Sequence, residues 1–377
     1  SEGNNTPSFV LYGEREKMII TKVLLLGEYS AVHRYLRDGL RELGVEVTFA
    51  SGTYGWRKHA VDISLSSKYK GIVGKVDLYL RPFYMFNRFT GHDVVQFIDY
   101  NIFVRRLGIN DYLVKSIINN NTKSYLMVAS CDHFVKEYYN KIKNPICKGC
   151  LTLDKKLTQC PVANASSHKR FNKLLPLYDN VIPVMHEYEQ AYKNAGVGTL
   201  SHALPFPINM NHIKYQENKV LKKIVIFHGI NRVGFKGTKI ITAALSKIQK
   251  KYPKDVEVVI DGRVPYHDYL NLLERTNIVV DQIYNEGYGM NALISMAMGK
   301  IVVCGDVTKT VNGLNITDSI PSISVEPTED DIFNKIEVLI CQKKVIKQLG
   351  HESMVFVRNN FNHIKVAQMY LDLWSKS

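Results

Sequence analysis

The chain has 377 residues, 45% of them hydrophobic and 22% charged, with a net charge of +14. That length exceeds one ordinary core and suits two domains, the composition is that of a soluble globular protein, and no apolar run approaches the roughly 20 residues that span a bilayer. The positive charge calls for an anionic partner. Its dispersal into short pairs such as Arg105-Arg106 and Lys250-Lys251, without an RRM, KH or finger signature, argues against nucleic acid and leaves an anionic donor or an anionic membrane surface.

The first 18 residues are polar and read as a loose N-terminal extension; no signal peptide is seen, so a cytoplasmic protein is expected, peripheral to the inner face of a membrane if lipid is the anion. Ile19 to Gly27 predicts a buried first strand, Gly27-Glu28-Tyr29-Ser30 a turn, Ala31 to Leu43 a helix closed by Gly44, and Val45 to Ala50 a second strand. This strand–helix–strand opening is a doubly wound start. Further strands are expected at Asp77–Leu80, Asp93–Ile98, Ser124–Ala129 and Asn180–Met185, with a helix over Glu187–Asn194. Asn140 to Lys173 is polar and lysine-rich and reads mostly as loop. The loop holds Cys147, Cys150 and Cys160 of the six cysteines; with His133 or His168 they could ligate zinc, or they are reduced thiols in an irregular segment. A disulfide is not expected without an export signal.

Leu204-Pro205-Phe206-Pro207-Ile208-Asn209 is extended, and 209–221 is a polar linker. The expected division is therefore a first domain over 19–208 and a second over 222–352. The last helix of the second domain is expected to end near Gly350. A closing helix over 353–377, apolar at helical spacing through Val355, Phe361, Tyr370 and Trp374, is expected to return to the first domain.

Two loops in the second half carry candidate chemistry. His228-Gly229-Ile230-Asn231-Arg232-Val233-Gly234-Phe235-Lys236-Gly237 joins an apolar strand to an amphipathic helix. It brings Arg232 and Lys236 to a helix N-terminus, where cations are unfavourable unless an anion is bound; a phosphate or diphosphate suits it, and the plain alternative is a solvated pair. Glu286-Gly287-Tyr288-Gly289-Met290-Asn291 lies between the strand Ile278–Gln282 and the helix Met290–Met298. Its carboxylate and close backbone amides suit sugar hydroxyls, and the plain alternative is an acidic helix cap. In open parallel sheets, ligands bind at such loops.

The segment from Ile224 to Gly305 resembles the donor-binding domain of retaining GT-B glycosyltransferases of the large family-four group. The resemblance rests on Arg232, Lys236-Gly237, Glu286-Gly287-Tyr288-Gly289 and Met296-Ala297-Met298-Gly299-Lys300-Ile301-Val302-Val303. It implies two Rossmann-like domains facing a cleft and metal-independent transfer from a nucleotide sugar to a glycan or lipid-linked acceptor, with no cofactor. It implies catalytic roles for Arg232, Lys236, Glu286 and a histidine after a first-domain strand, for which His133, or its neighbour Asp132, stands nearest. Donor contacts fall to Gly27, His228, Gly229, Gly237, Arg263 and Gly287 through Asn291. A lone histidine is more often structural, which applies to His133, His92 and His228. The family's second glutamate, eight residues after the first, is Ile294 here. A sugar-nucleotide epimerase, a phosphorylase or a non-catalytic sugar-nucleotide-binding protein on the same fold remain alternatives.

Overall fold

A computed structural model describes residues 19–52, 60–142, 165–230, 233–262 and 266–376. Two parallel sheets organise them. The first contains β1 (Lys22–Leu26), β2 (Glu46–Ser51), β3 (Ile63–Ser64), β4 (Val94–Phe97), β5 (Lys123–Val128) and β6 (Asn180–Pro183), in spatial order β3-β2-β1-β4-β5-β6. The second contains β7 (Ile224–Gly229), β8 (Val256–Asp261), β9 (Ile278–Val280), β10 (Ile301–Cys304) and β11 (Ile323–Ser324), in order β11-β10-β9-β7-β8. Every pairing within the sheets is parallel. Val23 to Leu26 are fully buried, as a central strand covered on both faces requires.

The first-sheet helices are α1 (Val32–Glu42), α2 (Gly71–Tyr84), α3 (Ile109–Asn119), α4 (His133–Lys141), α5 (Ala165–Leu174) and α6 (His186–Asn194). Those of the second sheet are α7 (Val233–Lys236), α8 (Thr238–Lys251), α9 (Tyr266–Arg275), α10 (Met290–Ala297), α11 (Thr308–Gly313), α12 (Glu329–Cys341) and α13 (Val345–Asn360). The chain closes with α14 (His363–Trp374).

Four expectations require correction. Asp77–Leu80 is not a strand but the middle of α2. Its short alternation is strand-like, but over fourteen residues the apolar side chains recur at helical spacing through Ile72, Val76, Leu80 and Phe83. The run read as loop up to Lys173 contains α5; its lysines are solvated, while Phe171 and Leu174 are buried and Arg170 pairs with Asp111 at 2.7 Å. The helix expected to stop near Gly350 continues to Asn360. The closing segment is two helices, because the extended crossing captures the backbone between them. Ile208 donates to the Phe361 carbonyl at 2.7 Å and accepts from the His363 amide at 3.0 Å, and the Asn362 side chain caps α14 by accepting from Ile364 N at 2.9 Å.

The closing helix α14 packs against α1 of the first domain. His363 Nε2 lies 2.9 Å from Glu42 Oε1, and a Cβ on Gly39 would collide with the His363 carbonyl, so the two helices approach backbone to backbone. Trp374 and Tyr370 are fully buried in a cluster that runs from β1 and α1 through α14 and α13 to α10. Trp374→Ala should therefore cost about 3–5 kcal/mol, and a chain ending at Asn360 should aggregate instead of melting cooperatively. Chemical denaturation of the first and thermal melting with light scattering of the second check this; a truncated chain that stays monomeric and melts near the parent temperature would refute the packing role.

Candidate donor site at the facing sheet edges

The first candidate loop begins where β7 ends. His228 is fully buried: its Nδ1 lies 2.8 Å from the Val280 carbonyl and its Nε2 3.0 Å from Thr238 Oγ1. The carbonyl can only accept, so Nδ1 carries the proton and Nε2 accepts from the threonine hydroxyl. Burial pushes the imidazole down to about 4, so the ring is neutral. Both nitrogens are engaged, and His228 braces β7 against β9 and α8. Gly229 closes the strand beside the Phe227 ring. Gly237 has φ +78, and a Cβ there would lie 2.6 Å from Ile283. Conformation and space both demand glycine at the start of α8.

Lys236 does not reach into solvent. It is 6% exposed, and its Nζ lies 2.6 Å from Asp281 Oδ1 just beyond β9. The same oxygen accepts from Asn291 Nδ2 at 3.1 Å, and Asn291 Oδ1 accepts from the Tyr269 hydroxyl at 2.5 Å. Asp281 Oδ2 is buried and has no hydrogen-bond partner among the described residues. Lys236 and Asn291, from separate loops, thus meet on one carboxylate. Asp281 was not singled out from sequence, although its place at a strand's carboxyl end was the available signal.

The second loop faces the first domain. Glu286 Oε1 lies 2.6 Å from Lys309 Nζ in α11, and Glu286 Oε2 accepts from the Tyr138 hydroxyl of α4 at 2.8 Å. Glu286 is not the helix cap, a position taken by Gly289. A Cβ on Gly287 would collide with the Glu187 carboxylate of α6, and one on Gly313 with the His186 ring, so the two domains touch here. The Tyr288 ring turns into the core: its hydroxyl meets Ser322 Oγ at 2.8 Å, and it packs edge-on against Phe356 and Phe361. Met290 is buried at the start of α10. The residues missed from sequence here, Tyr138, Glu187 and Lys309, all follow strands at their carboxyl ends.

The remaining sequence candidates separate. Gly27 ends β1 with φ +83, its carbonyl 2.9 Å from His33 Nδ1. His133 opens α4 but turns away from the Glu286 loop: its ring stacks on His168 with centroids 3.5 Å apart, and Nε2 lies 3.0 Å from Glu137. Tyr138, five residues on, is the α4 side chain that reaches the loop. Asp132 caps α4, accepting from Val135 N at 2.9 Å and from the Tyr192 hydroxyl at 2.6 Å; burial holds its carboxyl up at about 6. His92 is buried and bonds Asn121 and Thr48. Arg232 and Arg263, and Cys147, Cys150 and Cys160, lie outside the described residues. Among the described residues no three His, Cys, Asp or Glu side chains cluster to hold a metal ion, and no helix is long and apolar enough to cross a membrane.

No protein-family model and no curated protein matches the chain. Solved structures do. Sucrose-phosphate synthase from Thermosynechococcus elongatus aligns with a TM-score of 0.62 at 15% identity, over 95% of this chain and 100% of its own. HepE from Anabaena, solved in complex with UDP and glucose, aligns with a TM-score of 0.62 at 12% identity, over 95% and 100%. A structure from Listeria monocytogenes described as a UDP-N-acetylglucosamine 2-epimerase aligns with a TM-score of 0.51 at 12% identity, over 93% and 95%. The architecture is the GT-B fold, two Rossmann-like doubly wound domains facing a cleft.

Three measurements test the site's electrostatics and packing. Removing Lys236 strands a buried carboxylate, so Lys236→Ala should cost about 3–5 kcal/mol, and adding Asp281→Asn should recover most of the loss in urea denaturation. Ile294 is 6% exposed within the shared core, so Ile294→Glu should lower stability by about 3 kcal/mol or more; an unchanged melting temperature would mean the position is open to ligand or solvent. Burial holds the Glu187 carboxyl up at about 7, with Thr310 Oγ1 3.2 Å away and the Glu286 charge adding to the rise. A carboxyl raised in the native state retains a proton that the unfolded chain releases, so its contribution is full below about 4.5 and is lost as pH rises through about 7. Glu187→Gln should gain on the order of 3 kcal/mol over wild type between pH 5 and pH 8. The difference between the two proteins isolates Glu187 from Glu28 and Asp132, whose carboxyls are also raised by burial.

Proposed function

We propose that the protein transfers a glycosyl unit, with retention at the anomeric carbon, from a nucleoside-diphosphate sugar to a glycan or lipid-linked acceptor, in the manner of the family-four-like group. One observation carries this reading: the Lys236 and Glu286 loops lie together at the carboxyl edge of the second sheet, against Tyr138 and Glu187 of the first domain. The HepE complex with UDP and glucose, a protein of the same fold, supports a sugar nucleotide as donor.

In this reading the leaving nucleoside diphosphate gains negative charge as its bond to the sugar breaks. Lys236, Arg232 and the N-terminus of α8 meet that charge, and a group aimed at developing charge accelerates the step. Glu286 accepts sugar hydroxyls, exchanging them for its Lys309 and Tyr138 contacts, and the backbone from Gly287 to Asn291 completes the donor contacts. Gly27, at the end of β1, borders the cleft from the acceptor side. Transfer without a metal or other cofactor is proposed from the sequence, which has cations at the diphosphate loop and no D-x-D motif at a strand end. The epimerase-like neighbour keeps a second reading open, isomerisation of the donor at the same loops.

A panel of sugar nucleotides with glycan and lipid-linked acceptors, read by mass spectrometry and anomeric NMR, separates the two. A retained glycoside supports transfer, an isomerised donor supports the second reading, and an untouched donor that still binds refutes both. Glu286→Gln should lower kcat/KM by about 10- to 100-fold, the worth of one charged hydrogen bond. Nucleotide-diphosphate affinity should fall by about 1.5–3 kcal/mol when Lys236→Ala is added to Asp281→Asn. Equal affinities in calorimetric titration would remove Lys236 from the site.

A further inference from the structure

Helix α2 is built unlike the other helices that cover the first sheet. Ile72, Val76, Leu80 and Phe83 form one line along it, with Val73 and Tyr84 beside them, and all six are exposed. Ile72 is 80% exposed, whereas the buried residues of the helix are Gly74, Arg81 and Pro82. The polar side chains of the helix pair with one another: Arg81 Nη2 lies 2.7 Å from Asp77, which also accepts from the Tyr84 hydroxyl at 2.8 Å. Folding thus leaves the apolar stripe outward, the reverse of an ordinary surface helix.

The stripe continues onto a second element. The Phe83 ring stacks on Tyr112 of α3, with centroids 6.2 Å apart, and Tyr112 is itself exposed. Just before α3, Leu107 is 92% exposed in a left-handed conformation, φ 57, next to exposed Arg105 and Arg106. Around α2 stand exposed Lys68, Lys70 and Lys75, with no acidic residue between Lys68 and Val76. An exposed apolar ridge, rimmed by lysine, arginine and tyrosine, is the chemistry of a helix lying in the headgroup region of a bilayer. The stripe residues Ile72, Val73, Val76, Leu80, Phe83 and Tyr84 include no carboxylate, so a second copy pairing through them would bring no counter-charge to Lys68, Lys70 and Lys75; anionic headgroups neutralise them instead.

We infer that α2, with Leu107 and Tyr112, docks the protein onto an anionic phospholipid surface, its apolar ridge entering the headgroup layer and its cations meeting lipid phosphates. This does not depend on the transferase reading, and it is measured without substrate. α2 follows β3 by a short loop at that strand's carboxyl end, the sheet edge on which the proposed cleft opens. A docked protein would therefore hold its cleft near the membrane.

The full chain should co-sediment with phosphatidylcholine vesicles containing phosphatidylglycerol and much less with phosphatidylcholine alone, and added salt should weaken the binding. Val76→Ser with Phe83→Ser should reduce the bound fraction roughly tenfold, and Lys68→Ala with Lys70→Ala and Lys75→Ala should remove the preference for the anionic lipid. Both variants change exposed side chains, and their melting temperatures check that they fold. Absence of binding by wild type, or equal binding by wild type and a folded serine variant, overturns the proposal. So does sedimentation of wild type as a dimer that the serine variant converts to monomer, which would assign the ridge to a second copy.

Discussion

The packing of α14 on α1 is the constraint on which the rest of the molecule depends. Two doubly wound sheets joined by one extended crossing would be free to rotate, since interfaces between such domains are ordinarily modest. Here the chain passes back, and Tyr370 and Trp374 bury their rings in the first domain while Phe356 and Phe361 of the same closing segment hold Tyr288 in the second. Gly39 lets α1 and the start of α14 meet at backbone distance. This shared core sets the spacing at which α4 and α6 come against the Glu286 loop. The Tyr138 to Glu286 bond and the fit of Gly287 against Glu187 follow from helix packing on the far side of the chain, not from any attraction strong enough to close the domains alone.

Within that frame, the charges of the candidate site are already satisfied by one another. Lys236 is held by Asp281, and Glu286 by Lys309 and Tyr138. On the proposed reading a ligand would enter by exchange, and the two exchanges differ in cost. The Lys236–Asp281 pair is buried and shares its carboxylate with Asn291, so breaking it is the costlier of the two. The Lys309 end of the second pair is exposed, where a salt bridge is worth little; sugar hydroxyls can displace it at small cost. Glu187, neutral below about pH 7, adds no charge of its own beside Glu286 in that range.

The fold was legible because parallel strands buried on both faces read as continuous apolar runs. Val23–Leu26, Ile278–Val280 and Ile301–Val303 need no tertiary information to be recognised. What stayed hidden was of two kinds. Asp77–Leu80 looks like a strand because four alternating residues cannot distinguish a period of 2 from one of 3.6, and α2 is a helix whose apolar face finds no core among the described residues. The partners of the candidate loops were hidden because they come from elsewhere: Tyr138 lies 148 residues from Glu286 and Asp281 lies 45 from Lys236. His228 and Tyr288 show the converse. Their place beside glycine-rich loops suggested ligand contact, yet both side chains turn inward to hydrogen bonds in the core.

Ile294 carries the last step. A carboxylate at that position would project from the buried face of α10, the helix whose residues from Ala292 to Ala297 are all buried, into the cluster shared with α13. The isoleucine instead adds apolar area to the same core that fixes the domains. The chain thus has at this point a packing residue where the family it resembles has a polar one.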